Sequence, residues 1–430
     1  MTSSSERALR ALRHVRDRSR VFLGSGAAVP IALGEALTER ARSLSGVEAR
    51  HILTLGEAPW ADASLEGHLR VNSFFVGANV RRAVHEGRAD ASPVFLSEIP
   101  ELFRRERPAD VALVQVSPPD ARGHTTLGVS IDVVRAAVDG ARVVVAEVNA
   151  QMPKTYGAGI VPFSLFADHI EVDRELPTWS PPDPSETERA IGAHVASLVR
   201  DGDTLQLGIG TIPNAVLAAL ANHKDLGVHT EMFSDGVVDL VERGVINGTR
   251  KSYHRGRIVT SFVMGTKRVY DFVDGNPLVE FHESDWTNNP SIIARHEGMI
   301  AINSALSIDL GGQVCADSID GRVYSGVGGQ VDFVRGAKAA QRGRSVIALP
   351  STAKGGTCSR IVATLAAGSS VTTSRNDVHY VATEFGIENL HGLTLRERAL
   401  ALLRLAHPTF RDDLAREARD RGILTAHDHR

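Results

Sequence analysis

The chain has 430 residues, of which 43% are hydrophobic and 23% charged, with a net charge of −3. That profile is expected of a soluble globular protein, and the length exceeds what one ordinary core buries, so two domains are expected. The 48 basic residues are scattered, and Cys315 and Cys358 are the only cysteines. These features exclude a nucleic-acid surface, a disulfide framework and a cysteine metal cluster, and they fit a reducing cytoplasm.

The opening stretch, MTSSSERALRALRHVRDRSR, is polar, Arg-rich and amphipathic with no apolar centre, so it reads as a start helix rather than a secretion signal. No window holds about 18 uncharged apolar residues, which argues against a membrane-spanning helix. Val21-Phe22-Leu23 runs into Gly24-Ser25-Gly26 and then AAVPIALGEALTERA. This predicts a short buried strand, a glycine turn, and a helix with Pro30 near its first turn. HILTLGE (51–57), VALVQVSPPD, the helix IDVVRAAVDGA and the strand VVVAEVN continue the alternation. Continuous Val, Ile and Leu strands separated by helices imply a parallel sheet covered on both faces.

Residues 174–188, RELPTWSPPDPSETE, carry four prolines and no apolar periodicity, which marks a linker. Beyond it, LGIGTIPNAVLAAL at 207–220 repeats the pattern of LGSGAAVPIALGEAL at 23–37, beginning 184 residues later. A duplicated unit explains both copies. The expected fold is α/β with two related domains, 1–180 and 181–430, each holding a mainly parallel sheet flanked by helices. LRERALALLRLAHPTFRDDLAREARDRG, near the end, reads as a helical segment packed across the body.

Three glycine-rich turns are candidates for chemistry: the two Gly-x-Gly repeats and Ser325-Gly326-Val327-Gly328-Gly329-Gln330. Glycine allows positive φ and close backbone approach, so successive N–H groups can converge on an anion, and a following helix N-terminus adds to that. Such a turn is equally explained as a tight strand-to-helix connection. Position 213 is Pro and position 29 is Val, so neither repeat continues as a dinucleotide-binding GxGxxG. The P-loop, HExxH and GxSxG patterns are absent from the sequence, which disfavours nucleotide hydrolysis, zinc hydrolysis and a serine nucleophile. Although the chain has 17 histidines, His282-Glu283 reads as a surface pair, and no metal site is expected. Carboxylate chemistry remains. Glu231, within VHTEMFSDG, sits between an apolar strand and a small-residue turn. That is a strand-end active-site position in an α/β fold, or equally a capping or ion-pairing acid.

From about residue 20 to 415 the chain resembles the acetyl-CoA hydrolase/transferase family, in particular its 4-hydroxybutyrate CoA-transferase-like branch. The resemblance rests on FFVGANVRRAVHEGRADASPVFLSEIPELF, VALVQVSPPDARGHTTLGVSIDVVRAAV, VAEVNAQMPKTYG, LGIGTIPNAVL, HTEMFSDGVVDL, YDFVDGNP, FHESDWTNNP, SGVGGQVDFVRGA and TEFGIENLHGLTLRERA, in that order. It implies two related α/β domains with the active site at their interface, and a homodimer or higher assembly. It also implies that Glu231, 23 positions after Gly208, is the nucleophile of an acyl-CoA:carboxylate CoA-transferase. Exchange would proceed by ping-pong through a glutamyl-CoA thioester. Gly208, Gly210, Gly326, Gly328 and Gly329 would form the oxyanion and thioester loops. Charge and loop type offer Lys354, Gly355, Gly356 and Arg360 for coenzyme A phosphates. No tightly bound cofactor is implied, coenzyme A being a substrate. An acyl-CoA hydrolase, or an acyltransferase to another thiol, would use the same glutamate.

Three positions depart from the family pattern. Thr287-Asn288-Asn289-Pro290 stands where TNDP is common, and Asp320 replaces a common glycine. Ala158-Gly159-Ile160-Val161-Pro162-Phe163 replaces a polar stretch, a change expected to touch the acyl pocket.

Overall fold

The computed structural model describes residues 4–428. Among these residues the strands form two large sheets, one of seven strands and one of nine. The first runs, edge to edge, Asp168–Val172, Val143–Asn149, Val111–Val116, Arg20–Leu23, Val47–His51, Leu69–Ser73 and Ala89–Ala91. All its pairings are parallel. From Arg20–Leu23 the chain builds outward on one side, then returns and builds outward on the other. The turn after Arg20–Leu23 therefore lies at a topological switch point, where open parallel sheets leave a crevice beyond their strand ends.

The second sheet repeats the plan. Its order is Gly386–Asn389, Tyr380–Thr383, Arg344–Ala348, Met299–Ser304, Thr204–Leu207, Gly227–His229, Ile258–Thr260, Val279–Phe281 and Tyr156–Gly157. Only the final hairpin, Tyr380–Thr383 with Gly386–Asn389, is antiparallel. Thr204–Leu207 is the central strand and Gly208–Gly210 its switch-point turn. The edge strand Tyr156–Gly157 comes from the first half of the chain and pairs with Glu280 and Phe281. The expected linker holds no regular element until Ser185 caps the helix Glu186–Ala196 through a reciprocal bond with Glu188.

The start helix forms at Ser4–Ala11. The strand expected in HILTLGE lies earlier, at Val47–His51. Its charges concealed it. The buried Arg50 guanidinium pairs with Glu48 at 2.5 Å, and Asn72 donates to the same carboxylate at 3.1 Å, so the charges of this polar strand are paired. The C-terminal helical segment divides into Leu395–Leu405 and Pro408–Asp420, because Pro408 cannot continue a helix but opens one well. Both pack on an apolar cluster with Ile347, Val381 and Ile361.

A single apolar core runs through both halves, holding Phe22, Phe103 and Val114 together with Val216, Phe233 and Val237. Backbone bonds also join them. Val76 N donates to Ser325 O at 3.3 Å, and Leu96 N donates to Gly328 O at 3.1 Å. Arg104 forks across to Glu283 and Asp285. These bonds hold the SGVGGQ turn to the first half without a side chain of its own.

Candidate active site

The two switch points face one cleft with a volume of about 230 Å3. Ser25 and Gly26 line it from the first half, Leu207, Gly208 and Ile209 from the second, and the turn 325–330 closes a third side. Phe74, Phe75, Val94 and Leu96 make one wall apolar.

Glu231 lies in this lining. Its strand ends at His229, and the chain bends before the short strand Met232–Phe233. Ser261 N and Phe262 N donate to the Glu231 carbonyl at 2.9 and 3.1 Å, so the backbone is fixed and the side chain is left to the cleft. The carboxylate accepts from Asn288 Nδ2 at 3.1 Å and from the Gly329 N–H. Burial pushes its pKa up to about 7, and the Asp332 and Asp132 carboxylates add to the rise against these two donors. A carboxylate at that value is half ionised near neutrality and more basic than an ordinary one.

The residues before Glu231 explain its placement. Thr230 Oγ1 donates to Leu207 O at 3.1 Å or Met232 O at 2.9 Å, tying the Glu231 bend to the start of the glycine turn. His229 is fully buried, with Nε2 2.8 Å from the carbonyl of Thr287, the residue before Asn288. Burial pushes His229 down to about 3, so the ring is neutral and Nε2 carries the proton. Asn288 is likewise fully buried. The triplet therefore aligns three things: the glycine turn, the carboxylate and the amide that holds it.

Asp132 and Asp332 come from opposite halves. Asp132 accepts from Ser25 Oγ at 2.5 Å and from Val134 N at 3.2 Å, just before the helix Val134–Gly140. Asp332 accepts from Ser97 Oγ at 2.8 Å and Ser97 N at 3.2 Å. Burial raises each to about 6.

Gly208, Gly326, Gly328 and Gly329 thus line the cleft with Glu231, while Gly210 ends the same turn as Gly208 but lies outside the lining. A Cβ on Gly208 or Gly210 would face open space, whereas one on Gly329 would collide with the Glu231 carboxylate and the Asn288 amide. A Cβ on Gly326 would come within 2.8 Å of the Phe74 carbonyl oxygen. The structure does not bring Lys354, Gly355 and Gly356 into the cleft lining. They form the turn of the hairpin Thr352–Ala353 to Cys358–Ser359. The Arg360 guanidinium is already committed to the carbonyls of Thr352, Ala305 and Leu306 at 3.2 to 3.4 Å.

The departures resolve as well. Asn289 caps the short helix Pro290–Ile293 by accepting from Ser291 N at 2.9 Å, a role Asn and Asp share. Asp320 adopts φ 51° and Gly321 φ 73° between Ser318–Ile319 and Arg322–Val323, the Asp-Gly form of a tight hairpin. The expectation that 158–163 touches the acyl pocket is overturned. Ile160–Pro162 pairs with His124–Thr126, and none of these six residues lines the cleft.

Asn288, Asp132 and Asp332 were not singled out from sequence, nor was the first glycine turn as part of the cleft. Asn288 lay inside the matched block FHESDWTNNP, so a signal existed. The two aspartates had none, since each acts from the start of a helix distant in the chain from Glu231.

Two switch-point turns with a carboxylate between two parallel sheets define an α/β architecture with a cleft at the junction. Residues 4–179 match the acetyl-CoA hydrolase/transferase N-terminal domain, and residues 265–418 match the C-terminal domain of the same family. The chain belongs to the acetyl-CoA hydrolase/transferase family. It is 46% identical over 413 residues to a 4-hydroxybutyrate coenzyme A transferase of Clostridium kluyveri, covering 96% of each chain. It is 48% identical over 413 residues to a succinyl-CoA:acetate/propanoyl-CoA:succinate CoA transferase of Fasciola hepatica, covering 95% of this chain and 86% of that one. The crystal structure of RipA from Yersinia pestis superposes with a TM-score of 0.93 at 35% identity, covering 97% of both chains. Among the described residues no helix is long and apolar enough to cross a membrane.

Proposed function

We propose that the protein moves coenzyme A between carboxylic acids through a covalent intermediate on Glu231, with coenzyme A as substrate and no tightly bound cofactor. The observation that carries this reading is a carboxylate whose charge is disfavoured by burial and by two neighbouring acids, set beside the open glycine turn at Gly208. The CoA-transferase names of its relatives support transfer over hydrolysis.

The Glu231 carboxylate attacks the acyl-CoA carbonyl, forming an acyl-glutamyl anhydride and expelling coenzyme A thiolate. That thiolate, a good leaving group and nucleophile at a pKa of about 8.5, attacks the glutamyl carbonyl. The first acid leaves as its carboxylate and a glutamyl-CoA thioester remains. An incoming carboxylate reverses both steps, so kinetics are ping-pong. Covalent attachment converts a charged side chain into a neutral one. The site that penalises ionised Glu231 therefore favours the intermediate. Asn288 and Gly329 already donate to the carboxylate, and they are placed to stabilise the oxyanion when the glutamyl carbonyl becomes tetrahedral, a contribution of about 3–4 kcal/mol per donor. The open faces of Gly208 and Gly210 leave room for the thioester.

The same reading includes a chain divided at 180/181, resting on the proline-rich linker and the repeated pattern, a cytoplasmic location, resting on the scarcity of cysteine, and a homodimer or larger assembly, resting on the family resemblance. It also has the hairpin Lys354-Gly355-Gly356 and Arg360 near the nucleotide end of coenzyme A. Light scattering after gel filtration tests the assembly. The chemistry is tested by mixing enzyme with acyl-CoA and no acceptor. The peptide carrying Glu231 is expected to gain the mass of coenzyme A minus water, and hydroxylamine is expected to remove it. An adduct on any other residue would overturn the proposal. Coenzyme A release at the same rate with and without an acceptor acid would mark a hydrolase instead.

A further inference from the structure

A second group of chemistry-bearing side chains, which the proposed transfer does not use, lies along the sheet of nine strands. His254 sits in the loop between the helix Asp235–Glu242 and the strand Ile258–Thr260, while Glu280 and His282 lie on and just after the strand Val279–Phe281. His254 Nδ1 is 2.7 Å from Glu280 Oε2, and His282 Nε2 is 3.5 Å from the same oxygen. The three ligand atoms all lie within 4.8 Å of one another. With two sides of 2.7 and 3.5 Å and the third below 4.8 Å, a point lies within about 2.4 Å of every corner. Shifts of a few tenths of an ångström bring this to the roughly 2.0–2.2 Å of nitrogen and carboxylate ligands on zinc.

Two further features set the group apart from an ordinary ion pair. His282 Nε2 is buried, and its contact with Glu280 Oε2 at 3.5 Å is too long for a well-formed hydrogen bond. The ring is held flat on Trp286, with centroids 4.2 Å apart and planes 25° apart, so its free nitrogen is aimed and cannot turn away to water. Glu280 is oriented from its other oxygen, where Arg257 Nε lies 3.2 Å from Oε1. An outer partner of this kind fixes a ligating carboxylate. The nearest buried cation, Lys251, is spent on the carbonyls of Val228 and Arg257 at 2.8 and 2.7 Å.

We propose that His254, Glu280 and His282 form a binding site for one borderline divalent cation, zinc foremost, with water completing the tetrahedron. Two imidazoles and one carboxylate match the ligand preference of zinc and other first-row divalent ions over magnesium or calcium. Binding needs His254 in the tautomer that leaves Nδ1 unprotonated. The ion would staple the 251–257 loop to the strand Val279–Phe281. Through the stack on Trp286 it would stiffen the helix Ser284–Thr287, whose next residue is Asn288. The inference stands on these residues alone and does not depend on the coenzyme A reading.

The test is calorimetric titration of Zn2+ into the full chain in a non-coordinating buffer. One ion per chain with micromolar or tighter affinity is expected. His254→Gln and His282→Gln should each weaken it at least tenfold, while His379→Gln, at a separate half-buried histidine, leaves it unchanged. Arg257→Gln keeps all three ligands and should retain stoichiometric binding with reduced affinity. Co2+ added to the unmodified chain supplies a readout independent of variant folding, because a tetrahedral site gives an intense visible absorption band. Sub-stoichiometric Zn2+ binding, affinity unchanged in both ligand variants, or a Co2+ spectrum of the hydrated ion would each overturn the site.

Discussion

The two glycine turns occupy equivalent places, and the sheets allow the comparison residue by residue. Arg20 pairs with Glu48 and Phe22 with Arg50 in the first half, while Thr204 pairs with Gly227 and Leu205 with Val228 in the second. With Leu23 matched to Leu207, this register carries Ile52 onto the position of Glu231. Both line the cleft. The first turn is packed: Gly26 has φ 59°, and a Cβ there would stand 2.8 Å from Ser130 Oγ. The second turn is open at both glycines. One scaffold thus supplies an apolar wall from one copy and the reactive group from the other. The scaffold alone does not make a site, because the donors Asn288 and Gly329 gather only around the second.

The sharpest way to break that comparison is to move the carboxylate across it. Ile52→Glu combined with Glu231→Ile keeps one acid in the cleft but removes it from Asn288 and Gly329. Exchange is expected to fall at least a thousandfold, as for Glu231→Gln; appreciable activity in the double variant would show the halves to be interchangeable. Gly329→Ala places a methyl group against Glu231 and Asn288 and should reduce kcat by about a hundredfold or more. Circular dichroism should remain native, since the collision faces the cleft.

Asn288→Ala removes one donor and should cost between tenfold and a hundredfold in kcat. Because that amide favours the ionised form, the acid limb of the pH profile should also move to higher pH. Under the proposed chemistry the attacking form of Glu231 is the carboxylate, and burial raises its pKa to about 7. The kcat/KM profile should therefore fall with a midpoint near pH 7 as pH drops, not near 4.5. Stability runs in the opposite direction. A raised carboxyl pKa favours the folded state below about pH 4.5, and that contribution is lost as pH rises to about 7. Glu231→Gln should accordingly melt at higher temperature than the parent at pH 8 and at the same temperature at pH 4.

The smallest effects separate packed glycine from open glycine. Gly26→Ala should destabilise the fold by about 1–2 kcal/mol through its positive φ and close neighbour. Gly208→Ala should leave the melting temperature unchanged and raise KM for acyl-CoA only a few-fold. Equal melting temperatures for the two variants would remove the distinction drawn between the turns.

The duplicated strand–glycine–helix pattern, the parallel sheets and the candidacy of Glu231 were all legible in the sequence. Each rests on local patterning: apolar runs of strand length, glycine at a turn, and ordered motifs shared with a family. Long-range pairing was not legible. Val47–His51 was missed because its charges satisfy one another only once Arg50, Glu48 and Asn72 lie side by side. The stretch 158–163 was misplaced because proximity in sequence to Met152-Pro153 says nothing of the edge it joins. Asp132, Asp332 and Asn288 converge on Glu231 from three separate elements, and the raised carboxyl pKa exists only through that convergence. Burial and charge proximity are properties of the packed chain. Sequence therefore singled out Glu231 as the candidate acid, and the tertiary structure alone decided the electrostatic field around it.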